Sequence, residues 1–175
     1  MSIDLTRRRG ILISLDVLVV GDPTAPRPLD SAATALDRLG WIGRPTVLAG
    51  RELLGRRLPE DAGARVAWVR SAFGDDQLDV RVFDEPADRA GGLAERQAAE
   101  RWAEARAACE ADWLLTSLAT SVGPARRARL SVVLIGPRGR LDGPARVERA
   151  DHEARDLLEA VNHLLTIDAF ATRSG

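Results

Sequence analysis

The sequence predicts a doubly wound, three-layer α/β domain with about five parallel strands. Three observations predict it. Short apolar runs rich in β-branched residues recur at 11–13, 45–49 and 130–135, the pattern of strands buried on both faces of a sheet. Stretches of helical apolar spacing lie between them. Strand and helix alternate from about residue 9 to residue 165 with no repeat and no long linker, the order of an α/β unit rather than of segregated layers. The 175 residues (1–175) are expected to form a single domain with a core at about 9–167, burying roughly two-thirds of its unfolded surface.

The elements follow in order. The run 11–13 ends at polar Ser14 and, past Leu15, at Asp16. A first strand would thus deliver polar side chains at its carboxyl end, where open α/β sheets place ligands. Residues 21–28 (Gly-Asp-Pro-Thr-Ala-Pro-Arg-Pro) form a turn-rich connector. Leu29, Ala32, Ala33, Leu36 and Leu39 share a helix face, and Gly40 is a natural stop. Strand two covers 45–49 and ends at Gly50. Residues 51–57 are expected as a short helix. A longer one from about Pro59 carries Ala62, Val66, Val69 and Phe73 on one face.

Leu78, Val80 and Val82 alternate along a third strand over 78–83, with Asp75-Asp76 as the turn before it. Residues 84–92 read as a loop. From 93 to 109 the spacing is helical, with Ala94, Ala98, Trp102, Ala105 and Cys109 in one stripe and Trp102 as its core anchor. Strands four and five fall at 113–115 and 130–135, separated by a short helix at 123–129 whose Arg126, Arg127 and Arg129 face solvent. Gly136-Pro-Arg-Gly139 is a turn, since it lacks the spacing of a phosphate-binding loop. Asp151 is placed to cap a last helix that carries His152 and His163 and faces the core with Leu157, Leu158, Val161, Leu164 and Leu165.

Composition narrows the function. A hydrophobic content of 45% and a charged content of 29% belong to a globular chain, and a net charge of −1 argues against a general nucleic-acid binder. The lone Cys109 has no internal disulfide partner and is expected buried, which suits a reducing cytoplasm. Arg7, Arg8 and Arg9 precede an apolar run, but Asp16 interrupts it and no small-x-small cleavage site follows. A membrane span or an export signal is therefore not expected. All 25 cationic side chains are arginine. Their pKa cannot be tuned to neutrality, so chemistry that needs a lysine is closed to this chain.

The stretch 9–21 is similar to the first motif of the haloacid dehalogenase superfamily, apolar-apolar-apolar-Asp-x-Asp-Gly-[Thr/Val]-Leu. The apolar places match, Ser14 stands where the nucleophilic aspartate belongs, Asp16 stands at the general acid, and Val17 replaces the glycine. Within the superfamily the chain most resembles the cap-less phosphatases of histidinol-phosphate and heptose-bisphosphate type. The segment 51–61, the helix after it and the strand near 80–86 carry that likeness. The resemblance implies a Rossmann-like (HAD-like) fold and a reaction in which an aspartate attacks phosphorus while a second acid protonates the leaving oxygen. It also implies a hydroxyl at the end of strand two, a downstream lysine, and acidic residues after strand four that help hold magnesium.

Set against that pattern, most of the reacting groups are absent. The strand-two hydroxyl place falls at Ala49 or Gly50, and Arg89 or Arg96 is the nearest substitute for the lysine. The fourth motif, Gly-Asp-x-x-x-Asp in active relatives, aligns with Thr116-Ser117-Leu118-Ala119-Thr120-Ser121, so that both metal carboxylates become serines. No zinc-binding cysteine and histidine loop is present near 85–92. A cation needs carboxylates to offset its desolvation, and an aspartate at its reference pKa of about 4 is a poor base for Ser14.

Two functions follow as expectations. One is a relative that has lost phosphatase activity and serves as a binding, regulatory or scaffold protein, as a homo-oligomer or with a protein partner, without a cofactor. The other is a phosphohydrolase acting on small phosphate esters with non-standard residues, and magnesium is expected only in that case. Ser14, Asp16, Gly50, Thr116, Ser117 and Ser121 are the candidate ligand-binding residues, with Ser14 and Asp16 the vestigial catalytic pair. If the site binds anything, the expected ligand is a phosphate-like anion held without magnesium by hydroxyls and helix amino ends; the alternative is a degenerate crevice with no ligand.

Overall fold

The computed structural model describes residues 9–20, 27–50, 52–53, 56–57, 61–84, 92–136 and 149–173. Six strands form one sheet: β1 (Gly10–Ser14), β2 (Arg44–Ala49), β3 (Val80–Val82), β4 (Ala111–Thr116), β5 (Ser131–Ile135) and β6 (His152–Ala154). Their order across the sheet is β6-β5-β4-β1-β2-β3, and every neighbouring pair is parallel. The chain moves outward from β1 through β2 to β3, then returns to the other side of β1 with β4. That reversal sets a topological switch point between β1 and β4, where a doubly wound sheet opens a crevice at its carboxyl edge.

Helices cover both faces because the strands present apolar side chains on both. Ile11, Ile13, Val47, Ala49, Leu115, Val133 and Ile135 point to one face. There they meet α1 (Ala32–Ile42), α2 (Ala62–Phe73) and α5 (Leu157–Arg173) through Ala32, Ala35, Leu39, Val69, Leu157, Ala160, Val161 and Leu164. The intervening Leu12, Leu48, Leu114 and Val132 point to the other face, against Trp102 and Cys109 of α3 (Gly92–Cys109) and Val122 and Ala125 of α4 (Ala119–Arg127). Leu12 and Leu114 are paired in register, and both are fully buried. Each such leucine contributes roughly 1.5–3 kcal/mol of burial. Trp102, 1% exposed, is the anchor of α3, with Phe83 tilted against its ring at 4.2 Å between centroids.

Several expectations are corrected. The sheet has six strands, not five. His152–Ala154 carries no apolar run and becomes a strand because β5 offers it a paired edge. Asp151 does not cap the last helix; its carboxylate accepts from Val132 N at 2.8 Å while its own N–H donates to Val132 O at 3.0 Å, holding the entry to β6. Asp156 performs the capping instead, accepting from Glu159 N at 2.9 Å. His152 therefore lies on a strand and only His163 on α5.

Helix α1 runs through Gly40 and stops at Gly43, where an added Cβ would lie 2.5 Å from Arg9 O and 2.9 Å from Ile11 Cδ1. That close approach, not a helix stop signal, is why glycine stands there. The short helix expected at 51–57 is a two-stranded antiparallel piece, Glu52–Leu53 against Arg56–Arg57. Two residues separate its strands, one of them Gly55, a spacing suited to a hairpin. Helix α4 starts at Ala119 rather than 123, because Ser121 and Val122 are buried against the sheet. In α2, Ala62 is exposed and the buried positions are Arg65 and Val69.

The connector at 21–28 is described only for Arg27 and Pro28, which pair with Val19–Val20. Residues 85–91 and the break at 137–148 lie outside the described residues. No described helix is long and apolar enough to cross a membrane.

Candidate functional site

The site begins where β1 ends. Strand β1 is buried throughout, down to Ser14 at 8% exposure. The chain then turns through a single 3-10 turn, Leu15–Val17, closed by Leu18 N on Leu15 O at 3.0 Å. Leu15 and Val17 are buried in the core. Asp16, between them, is half-buried and turns to the crevice.

Strand β4 ends one residue beyond the pair Ile13–Leu115, so that Thr116 comes level with Ser14. Thr116 is fully buried, and its Oγ1 accepts from Leu118 N at 3.1 Å. Ser117 follows, and both its backbone N–H (3.2 Å) and its hydroxyl donate to Asp16 Oδ2. The strand ends that the sequence assigned to one crevice are thus joined directly, across 101 positions of chain.

Burial pushes the Asp16 carboxyl above its ordinary range, and the hydrogen bonds from Ser117 partly offset that rise. The carboxylate takes up the amide of Ser117 and Thr116 takes up that of Leu118. Ser121 N, one turn into α4, already donates to Leu118 O at 3.0 Å. The chain supplies its own anion at the amino end of α4. Ser121 is 1% exposed, so it lies within the packed body of α4 rather than on display. Gly50 is half-buried beyond the end of β2, where an added Cβ would lie 3.2 Å from Phe83 O. Of the two substitutes for the lysine, Arg96 is exposed on α3 and Arg89 lies outside the described residues.

One polar centre of this edge was not anticipated. Arg65, on α2, is buried and makes a two-pronged ion pair with Asp84, which follows β3, at 2.6 and 3.1 Å. It also donates to Ala49 O at the end of β2, at 3.4 Å. The signal was present: Arg65 stands one turn before Val69, a charge on a face that is otherwise apolar. The two histidines stand away from the crevice, stacked on one another at the outer strand β6, with β5 and β4 between them and β1.

No protein-family model matches the chain, and no curated protein matches it. Solved structures do. The D,D-heptose 1,7-bisphosphate phosphatase from B. bronchiseptica, determined in complex with magnesium and phosphate, superposes with a TM-score of 0.61 at 14% identity, over 90% of this chain and 98% of that one. The L-2-haloacid dehalogenase PA0810 superposes with a TM-score of 0.52 at 16% identity, over 81% of this chain and 57% of that one. Identities this low speak to architecture alone. From its six parallel strands, its switch point between β1 and β4 and these two superpositions, the chain has the fold of the haloacid dehalogenase superfamily.

Proposed function

We propose that this protein is a catalytically silent member of its fold family, acting as a binding, regulatory or scaffold protein. The observation that carries the reading is the double hydrogen bond from Ser117 to Asp16. In the resemblance, Asp16 holds the general-acid place and Ser117 a metal-carboxylate place. Here the second holds the first by hydrogen bonds, and in this reading neither performs the task that the resemblance gives it. Ser14 at the nucleophile place has no imidazole beside it, since His152 and His163 sit at the outer strand.

The donor set does not fit magnesium. That cation takes hard oxygen ligands and is ordinarily held through carboxylates. Among the described residues the crevice has one carboxylate, already engaged, and no group of three His, Cys, Asp or Glu side chains is arranged to hold an ion. The phosphate-like anion also loses support. The amides of Ser117, Leu118 and Ser121 are already bonded, so an anion that used the Ser117 amide would have to displace Asp16.

Turnover of p-nitrophenyl phosphate, with and without magnesium, tests the reading. The expected result is hydrolysis indistinguishable from buffer in both. A second reading, a phosphohydrolase with non-standard residues, is favoured by one observation, the raised Asp16 carboxyl, since a general acid works best when it stays protonated near the working pH. Turnover that disappears in Asp16→Asn would establish that second reading and end the first. Calorimetry with inorganic phosphate separates the ligand question. No heat is expected from the wild type, and millimolar or tighter binding without magnesium would show that the crevice still takes an anion.

A further inference from the structure

At the far edge of the sheet, His152 of β6 and His163 of α5 stack face to face, ring centroids 3.5 Å apart and planes 5° from parallel. Eleven positions of chain separate them, and the contact joins an edge strand of three residues to a helix of seventeen. Parallel rings at this spacing direct their ring nitrogens along parallel planes. They cannot converge on one ion at the roughly 2.0–2.1 Å that imidazole–zinc bonds require. What the arrangement does respond to is protons. A neutral stack is attractive, one proton leaves a cation over a ring face, and two protons place like charges in van der Waals contact.

The surroundings offer little to compensate a second charge. On α5, Glu159 lies one turn before His163, but its carboxylate is taken by Arg155, through both N–H and Nε. From α1, Arg38 reaches α5 beside His163, donating to Asn162 Oδ1 at 3.3 Å, and adds positive charge. Beside His152, the Asp151 carboxylate is engaged by Val132 N and by Arg126 of α4 at 3.6 Å. Glu153 alternates to the opposite face of β6, and β5 opposes His152 with Val133, which is apolar. We propose that His152 and His163 form a proton-sensitive clasp that ties α5 to the outer strand, closed while the pair holds at most one proton and loosened by the second. Loosening would uncover the apolar face of α5, where Leu157, Ala160, Val161 and Leu164 are buried.

The sign agrees. Burial, and then the charge of His152, hold His163 below its ordinary value. The unfolded chain therefore takes up protons more readily than the folded one, and the stability held at neutral pH is lost as pH falls from the unfolded imidazole value toward the depressed folded value.

Amide hydrogen exchange of the full chain between about pH 7.5 and pH 5, the span over which imidazoles titrate, tests the clasp. After correction for intrinsic exchange, opening of β6 and α5 should rise several-fold on acidification while β1 and β4 change little. His152→Gln and His163→Gln should each abolish that selective rise. In NMR titrations, His163 should take its proton at higher pH in His152→Gln than in the wild type. Opening of α5 that does not respond to pH, a response that survives either substitution, or a His163 titration unchanged in His152→Gln would each overturn the proposal.

Discussion

At one end of the carboxyl edge, between β2 and β3, the protein keeps two full charges. Arg65 is 3% exposed in its side chain and is matched prong for prong by Asp84. Two strands away, between β1 and β4, one carboxylate stands among hydroxyls, and burial works against its charge. The two centres obey the same rule. A buried charge persists where a partner of opposite sign meets it with good geometry, and is otherwise neutralised or reduced to hydrogen bonds. The β2–β3 centre is built as a strut between α2 and the chain after β3. The β1–β4 end instead holds a carboxylate by the amide and hydroxyl of Ser117, with no cation meeting it among the described residues.

The largest expected effect breaks the strut. Asp84→Ala leaves a buried guanidinium unmatched and should cost about 3–5 kcal/mol in denaturant unfolding. Arg65→Met combined with Asp84→Leu should recover most of that loss, because both charges leave together. A loss under about 1 kcal/mol for Asp84→Ala would mean that water already shares the pair.

A smaller effect probes the crevice. Ser117→Ala removes the hydroxyl that donates to Asp16 and should cost about 1.5–3 kcal/mol at neutral pH, the range for hydrogen bonds to charged groups. The cost should shrink in acid as Asp16 protonates. An equal cost at both pH values would assign the loss to packing instead.

Asp16→Asn is the mildest change. Because burial raises the folded carboxyl above its unfolded value, the folded state holds its proton longer, and stability declines as pH rises through the window between the two values. The asparagine variant should lack that decline and should equal or modestly exceed the wild type at neutral pH in thermal melts. A marked loss of stability at neutral pH would show that the carboxylate charge is worth more to the fold than its desolvation costs.

Much of the architecture was legible in the chain. The buried runs at 11–13, 45–49 and 130–135 became β1, β2 and β5, because two-sided burial demands unbroken apolar sequence. Trp102 and Cys109 were read as buried and are. At the crevice, the resemblance grouped Asp16 and Ser117 in one candidate set; the contact between them, two hydrogen bonds, was not predicted. Local pattern did not carry β6, whose His-Glu-Ala has no strand signature of its own, nor the pairing of Glu52–Leu53 with Arg56–Arg57.

What the sequence determined alone is what depends on composition and period: alternating layers, the apolar strands and the absence of any lysine. Tertiary structure alone decided which polar groups meet. Arg65 finds Asp84, Asp151 joins β5 rather than capping α5, and His152 lies flat on His163. The reason is physical. Burial patterns are written in neighbouring residues, whereas a buried hydrogen bond or ion pair depends on two points brought together by packing, and no period along the chain encodes that distance.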